Sequence, residues 1–348
     1  MKMKVNLRSS NQTFRPNFGQ IIQVDDGGYE RGYAAGHEEG FASGHEEGFE
    51  AGESSGYTAG YEEGFAAGES SGYGGFPIGD GNTHIWIHLE EGRTSPMLAA
   101  NPNGTVTVDW GDGTEPDILT GTSIGTEKLT PVHQYAKPGD YIITLSVDGN
   151  MSFFSSSRNG APLRYGNNDN RNNAYWGAIQ KVEMGNNVTV RPYAFYNCYN
   201  LKSVVIPDSV TSIGDYAFGY CYSLQSIDIP DSATNIGDYA FSYCYSLQSI
   251  DIPDSATNIG SSAFSKCSSL THIAFHDEVT SIGGYAFNGC FGVRFYDFTQ
   301  CTAVPTLAST SAFDYIASDC EIRVPAALAD EWKAATNWAT YADYIVGV

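Results

Sequence analysis

The sequence predicts a multidomain fold: a glycine-repeat helical tract, an antiparallel β-sandwich, and an α/β solenoid closed by a C-terminal cap. Three patterns in the 348 residues lead to this prediction. Glycine recurs at every fourth position from Gly28 to Gly72. Short segments that alternate apolar and polar residues then follow, and a phenylalanine recurs every 23 residues from Phe195 to Phe287. The predicted domains are an N-terminal attachment segment (residues 1–27), a helical stalk (28–76), the sandwich (77–155), the repeats (156–298) and the cap (299–348).

The composition makes two classes of partner improbable. The chain has 40 Asp and Glu residues against 18 Lys and Arg residues, a formal net charge of −22. A chain this acidic is repelled by phosphate backbones and by anionic lipid, so we expect no nucleic-acid partner. The sequence contains no apolar run long enough to cross a bilayer and no signal-peptide core, so we expect no membrane insertion.

The stalk is predicted from the strict register of its glycines. Glycine at every fourth helical position lets a second backbone approach closely, as in GxxxG-type helix pairs, and we therefore expect a homo-oligomer. The tract resembles the glycine-repeat helices of FliH-like export-apparatus proteins, which implies a similar mode of helix packing. A flexible acidic tether and repeat slippage in the gene are the alternatives. The predicted oligomerisation residues are Gly32, Gly36, Gly40, Gly44, Gly48, Gly52, Gly56, Gly60, Gly64 and Gly68.

The sandwich is predicted from the segments HIWIHLE, GTVTVDWGDGT and DYIITLSVDG, which alternate apolar and polar residues between turn residues. The motif resembles a PKD-type domain, and the matching residues are Trp110, Asp112, Gly113, His133, Tyr135 and Gly139. The resemblance implies a PKD-like spacer or binding module without catalytic apparatus. Asp112 is expected to bond turn amides, with metal binding as the alternative.

The solenoid is predicted from a fixed period, because each short repeat buries its apolar face only against its neighbours. In each unit a short strand points residues such as Leu224 and Ile227 inward, and a turn with a short helical piece packs Phe218. The units resemble BspA-like leucine-rich repeats, here in five copies over residues 188–298, and the tail resembles the closing segment of that class. The cysteines that recur with the phenylalanines are expected to be buried thiols, with disulfides or metal binding as the alternatives.

No catalytic motif survives a search of the sequence, and no cofactor is predicted. His272 and His276 share one strand, but two imidazoles without a third ligand make a weak metal site. Asp228, Asp251 and Asp297 recur on successive strands, where we expect a solvated acidic face; a bridging cation is the alternative. We therefore predict neither an enzyme nor a metal protein.

The predicted binding surface lies on the repeats. Tyrosines flank the buried cysteines, and polar residues alternate with inward apolar residues on the strands. Exposed tyrosines suit contacts with protein or with the faces of sugars, whereas packing between repeats is the alternative. The candidate contact residues are Tyr199, Tyr220, Tyr222, Ser226, Asp228, Tyr243, Tyr245, Ser249, Asp251 and His272.

This layout predicts a recognition surface carried on an oligomeric stalk. The lead-in VNLRSSNQTFRPNFGQIIQV resembles N-terminal segments of tail-associated proteins in prophages of gut Firmicutes. The resemblance implies a phage tail or baseplate receptor-binding protein that is assembled in the host cytoplasm, binds other tail proteins through residues 1–27, and contacts a bacterial cell-surface receptor, protein or glycan. The alternative is a BspA-like adhesin on a bacterial cell surface that binds host protein or glycan.

Overall fold

Strand pairing dominates the computed structural model, which describes residues 80–123, 127–153, 162–165 and 177–348. The attachment segment and the stalk, including the ten glycines from Gly32 to Gly68, lie outside the described residues. The predictions made for them stay predictions.

The first described strands are antiparallel, as their alternating pattern predicts. They are β1 (Thr83–Leu89), β2 (Pro96–Asp109), β3 (Asp117–Thr122), β4 (Lys128–Leu129), β5 (Gly139–Phe153) and β6 (Leu163–Tyr165). β2 pairs with β3, β4, β5 and β6, and β1 pairs with β5. Ile85, Ile87 and Leu89 alternate along β1 and are buried. The antiparallel pairing is thus present, whereas the sandwich and its PKD-like character stay predictions.

The solenoid consists of short strands connected by turns. They are β7 (Ile179–Glu183), β8 (Val188–Val190), β9 (Ser203–Val205), β10 (Ser212–Ile213), β11 (Ser226–Asp228), β12 (Asn235–Ile236), β13 (Asn258–Ile259), β14 (His272–Ala274), β15 (Ser281–Ile282), β16 (Phe295–Asp297), β17 (Thr306–Leu307), β18 (Glu321–Val324) and β19 (Ile345–Gly347). The first ladder has two parts: β7, β9 and β11 pair in parallel, and β14, β16, β18 and β19 form a separate parallel sheet. Asp251, which lies between these parts along the chain, makes a single bridge to Ala274. A second ladder runs through β8, β10, β12, β13, β15 and β17.

The antiparallel strands continue into both ladders. β7 pairs antiparallel with β1, and β8 pairs parallel with the end of β5. The described residues accordingly belong to one compact unit. The sheet that we predicted as a spacer therefore also covers the first turn of the solenoid.

The predicted short helical piece of each repeat is wrong, and with it the α/β assignment. In the second repeat the Phe218 amide donates to the Ala240 carbonyl of the next repeat, whereas the Gly219 amide donates back to Tyr216. Tyr216 and Tyr220 have positive φ angles of 55° and 63°, and a right-handed helix excludes such residues. The segment is a series of turns hydrogen-bonded to its neighbour, and the fold is a β-solenoid with few helices.

A ladder of phenylalanine rings forms the centre of the solenoid. Phe195, Phe218, Phe241, Phe264 and Phe287 are buried and stack in sequence with centroid distances of 5.3–5.6 Å. Phe313 continues the stack 5.4 Å from Phe287. A further turn of the solenoid therefore lies within residues 299–324, in the region that we assigned to the cap.

The C-terminal segment packs against the end of the phenylalanine ladder. It contains α1 (Ala329–Ala334), flanked by 3₁₀ turns at Ala326–Leu328 and Trp338–Tyr341. Trp332 and Trp338 are fully buried, and their rings lie 4.9 and 5.5 Å from Phe298. Two large indoles thus fill the space beyond the last phenylalanines.

Candidate functional site

The turns place aromatic side chains in three columns along one side of the solenoid, the turn face. The first column is Tyr193, Tyr216, Tyr239, Ser262 and Tyr285. The second column is Asn197, Tyr220, Tyr243, Lys266, Gly289 and Tyr315. The third column is Tyr199, Tyr222, Tyr245, Ser268 and Phe291. Each column contains one residue from each successive repeat. The side chains on the turn face therefore differ from repeat to repeat, although their positions recur.

Left-handed backbone holds the first two columns in place. The φ angles are 54–59° in the first column and 62–71° in the second. Such a conformation costs a non-glycine residue about 1 kcal/mol or more. The cost is offset because the Tyr216 and Tyr220 amides each donate a 2.8 Å hydrogen bond to the next repeat. The backbone therefore fixes where these tyrosines leave the surface.

Between the second and third repeats the tyrosines of all three columns stack on one another. Centroid distances are 4.5 Å for Tyr216–Tyr239, 4.6 Å for Tyr220–Tyr243 and 5.5 Å for Tyr222–Tyr245. The predicted contact residues Tyr220, Tyr222, Tyr243 and Tyr245 are half-buried, and Tyr199 is 37% exposed. Burial, followed by the neighbouring Tyr243 and Tyr220, raises the pKa of Tyr245 to about 12. Because neighbouring rings cover much of each other's faces, this part of the turn face presents mainly ring edges and hydroxyl groups.

The stack breaks at the fourth repeat. Ser262, Lys266 and Ser268 stand where the previous repeat has tyrosines. Beyond the break, Phe291 is 54% exposed and Tyr315 is 67% exposed. The Lys266 ammonium lies 5.6 Å from the Phe291 centroid and 5.5 Å from the Tyr315 centroid, within cation–π range.

Sequence reasoning missed the residues beyond the break. Phe291 and Tyr315, like Tyr285, which is 52% exposed, occupy column positions that the tyrosines of earlier repeats also occupy. Aligning every repeat by its buried phenylalanine, rather than looking for tyrosine beside cysteine, would have found them.

The strand face, formed by the outward residues of the first ladder, carries the other predicted contacts. Ser226, Asp228, Ser249, Asp251 and His272 are all exposed. The His272 ring stacks on Phe295 at 5.6 Å, and the Arg323 guanidinium lies 4.1 Å from the same ring. The strands thus bring the polar residues into two adjoining rows, and no side chain among the described residues bonds to both rows.

The described residues contain no group of three or more His, Cys, Asp or Glu side chains placed to hold a metal ion. His276 pairs instead with Asp254 at 2.8 Å, and Asp297 accepts a 2.9 Å bond from the Thr299 amide. No helix in the described part of the chain is long and apolar enough to cross a bilayer.

The cysteines are buried structural thiols, as the repeat position predicts. All seven are free and buried. The Cys244 thiol donates to the Phe218 carbonyl at 3.3 Å, and the same bond recurs from Cys221 and Cys267. Burial raises the pKa of these thiols well above the ordinary value, so they are held neutral and out of reach of solvent.

The turn motif of the first sheet is a closed cluster. Asp112 Oδ1 accepts from the Thr114 amide at 3.2 Å and from its hydroxyl at 2.7 Å, as predicted for a turn aspartate. Asp112 Oδ2 lies 2.9 Å from His133 Nε2, and that imidazole stacks on Trp110 at 4.5 Å. The Tyr135 hydroxyl donates to the Trp110 carbonyl. The polar groups of this cluster are thus hydrogen-bonded to one another within the protein.

The geometry of the repeats agrees with a known family. Residues 188–318 match the model of the BspA type leucine-rich repeat region in six copies. These residues are thus similar to BspA-type leucine-rich repeats. The matched range includes the turn that contains Phe313.

Two solved structures are similar to part of this chain. A leucine-rich repeat protein from T. pallidum is 35% identical, with a TM-score of 0.33, over 34% of this chain and 57% of that one. A leucine-rich cell surface protein from Faecalibacterium prausnitzii is 34% identical, with a TM-score of 0.34, over 36% of each chain. The present chain thus spans less than two thirds of either protein. No curated protein matches it.

Proposed function

We propose that the BspA-type repeats are a recognition surface that attaches the chain to a molecule on a cell surface, without catalysis. The observation that carries the proposal is the turn face, where ordered aromatic rings cover successive repeats. Tyrosine and other aromatic residues are enriched in recognition surfaces because they bring a large contact area at a low entropic cost.

The turn face is already ordered before any partner arrives. Left-handed backbone and inter-repeat hydrogen bonds position the Tyr216 and Tyr220 side chains, and stacking restricts their rings. Binding to such a surface loses less side-chain freedom than binding to mobile rings does. The same features leave the cysteines buried, so the proposal assigns them a structural role only.

The finer form of the proposal is a phage tail or baseplate receptor-binding protein on an oligomeric stalk. Several copies of one weak site would give a high avidity without any new interface. This form is supported by the resemblance of the lead-in to tail-associated proteins and by the register of the glycines. The adhesin on a bacterial surface is its alternative, and a monomeric mass for the full chain would contradict the stalk in either case.

Binding of the labelled full chain to intact Gram-positive bacteria and to cultured epithelial cells tests the proposal. The repeats themselves supply conservative replacements: Asn197 occupies the position of Tyr243, and Ser268 that of Tyr245. We expect Tyr243→Asn combined with Tyr245→Ser to weaken binding at least tenfold. The matched control changes the strand face in the same way, with Asp251→Ala and His272→Ser, which are the residues of neighbouring repeats.

The outcomes separate the alternatives. Binding to bacteria supports the phage form, and binding to epithelial cells supports the adhesin. The proposal fails if the full chain binds neither surface. The turn face is the wrong site if the strand-face variant loses binding and the tyrosine variant keeps it.

A further inference from the structure

We propose that the break in the third column is a glycan subsite, in which one pyranose ring enters between Tyr245 and Phe291 above Ser268. The inference rests on the proposed recognition function and names its ligand class. It is carried by three features: the missing ring, the exposed aromatic residues beside it, and the polar groups around it.

The missing ring leaves a gap of suitable width. Successive rings in the third column are spaced by one repeat, as Tyr222 and Tyr245 are at 5.5 Å. Strands of neighbouring repeats lie about 4.8 Å apart, so Tyr245 and Phe291 are separated by about 10 Å along the column. A ring that packs against aromatic neighbours on both sides needs roughly 4.5–5 Å on each side. The gap therefore takes one six-membered ring.

The aromatic residue on the C-terminal side of the gap is exposed to solvent. Phe291 is 54% exposed, whereas Tyr222 and Tyr245, in the continuous part of the column, are half-buried. A pyranose offers its axial C–H groups to an aromatic face, and the positive C–H edge is attracted by the negative face of the ring. The break at Ser268 is where the column can offer such a face.

The polar groups select a sugar rather than an aromatic side chain of a protein. Ser268 is half-buried at the base of the gap, and the exposed Ser269 follows it. The Lys266 ammonium stands 5.6 Å from the Phe291 centroid. Because an apolar ring would desolvate these groups without bonding them, they fit a ligand that carries hydroxyl groups.

Gly289 positions the lysine. A Cβ atom at Gly289 would lie 2.9 Å from Lys266 Cδ, so the lysine stem runs through the space that a side chain there would fill. The ammonium consequently reaches Phe291 and Tyr315 instead of projecting into solvent from its own repeat. It stands at the Phe291 side of the gap as a hydrogen-bond donor.

Binding of the full chain to a printed array of mucin-type, bacterial-surface and plant oligosaccharides tests the inference. Ser268→Tyr restores the residue that the two preceding repeats carry, so it fills the gap without disturbing the fold. We expect it to reduce glycan binding at least tenfold while the urea midpoint is unchanged or higher. Ser249→Tyr, on the strand face of the preceding repeat, is the matched control and should bind as the wild type does. Lys266→Met removes the hydrogen-bond donor beside Phe291, and we expect it to weaken glycan binding about tenfold.

The inference is overturned if Ser268→Tyr binds the same oligosaccharides as tightly as the wild type. It is also overturned if the chain binds cells but no oligosaccharide, or if periodate treatment of those cells leaves binding unchanged and aromatic peptides compete; in both cases the recognition function stands. If neither cells nor oligosaccharides are bound, the recognition function itself fails.

Discussion

The ring of Phe153, the last residue of β5, lies 5.0 Å from the ring of Phe195, the first phenylalanine of the solenoid ladder. Both side chains are fully buried. Through this contact the antiparallel strands extend the apolar core of the repeats, and they pair with β7 and β8 on either side of it. A solenoid needs its terminal repeats covered, and here an antiparallel sheet performs that task.

We therefore expect Phe153→Ala to destabilise the repeats as well as the first sheet. Removing a buried phenylalanine costs about 3–5 kcal/mol, because the transfer free energy is lost and a cavity remains. Urea unfolding followed by tryptophan fluorescence measures the change. The control is Ile118→Ala, since Ile118 is 58% exposed and should change stability by about 0.5 kcal/mol or less. An equal effect of the two substitutions would contradict the capping role.

Much of the fold could be predicted because the period fixes which residues are buried. Phe218, Ile227 and Cys221 recur at constant spacing, and all three are buried as the pattern requires. The turn that contains Phe313 was not predicted, because Phe313 follows Phe287 by 26 residues, three more than the period. A strict period therefore predicts the buried residues of regular repeats, but it does not predict those of a repeat that contains a longer loop.

The candidate site was predictable in position but not in detail. The repeat pattern placed Tyr220 and Tyr243 beside the buried cysteines. It could not show that they stack, because stacking depends on left-handed backbone that tyrosine adopts only when neighbouring repeats enforce it. The repeat pattern also could not show that β1 pairs with β7, since β1 lies outside the repeats and does not share their period.

Two buried tryptophans at the C-terminal end provide a matched comparison. Trp338 Nε1 donates a 2.8 Å bond to the Pro305 carbonyl. Trp332 is equally buried, but none of the described residues accepts a hydrogen bond from its Nε1. Trp338→Phe leaves a carbonyl without its donor, whereas Trp332→Phe removes an unsatisfied group.

We expect Trp338→Phe to be more destabilising than Trp332→Phe by about 1–3 kcal/mol, the cost of an unsatisfied buried group. Chemical unfolding of both variants of the full chain measures the difference. The explanation is wrong if Trp332→Phe proves the more costly change, because the loss of ring volume is the same in both.

The buried thiols predict a loss of stability at alkaline pH. In the unfolded chain a cysteine ionises near pH 8.5, whereas burial raises the pKa of Cys290 to about 12. The folded state therefore holds more protons than the unfolded state above pH 8.5. The stabilisation is fully present below that pH and is lost as the pH rises towards 12.

Each such thiol contributes up to about 1.4 kcal/mol of destabilisation per pH unit in this range. Urea midpoints at pH 7.5 and 9.5 measure the loss. Cys244→Ala lowers the stability at neutral pH but should make the dependence on pH shallower, since it removes one of the ionising groups. A midpoint that stays constant up to pH 9.5 would show that the thiols ionise in the folded protein.

The Asp112 cluster predicts a loss of stability in acid. Partial burial raises the pKa of Asp112, but hydrogen bonds from Thr114 and His133 outweigh it, so the pKa lies below the ordinary value. The carboxylate therefore stabilises the fold above about pH 3.9, the unfolded value, and this contribution is lost as the pH falls through the lowered pKa. Asp112→Asn should cost about 1 kcal/mol at neutral pH, because the bonds from Thr114 and His133 lose a charged acceptor at a site open to solvent. It should also reduce the loss of stability between pH 5 and pH 2. Asp140→Asn is the control, since the Asp140 side chain is exposed and pairs with the exposed ring of His88. If both variants keep the wild-type acid limb, Asp112 does not supply the acid-labile stability.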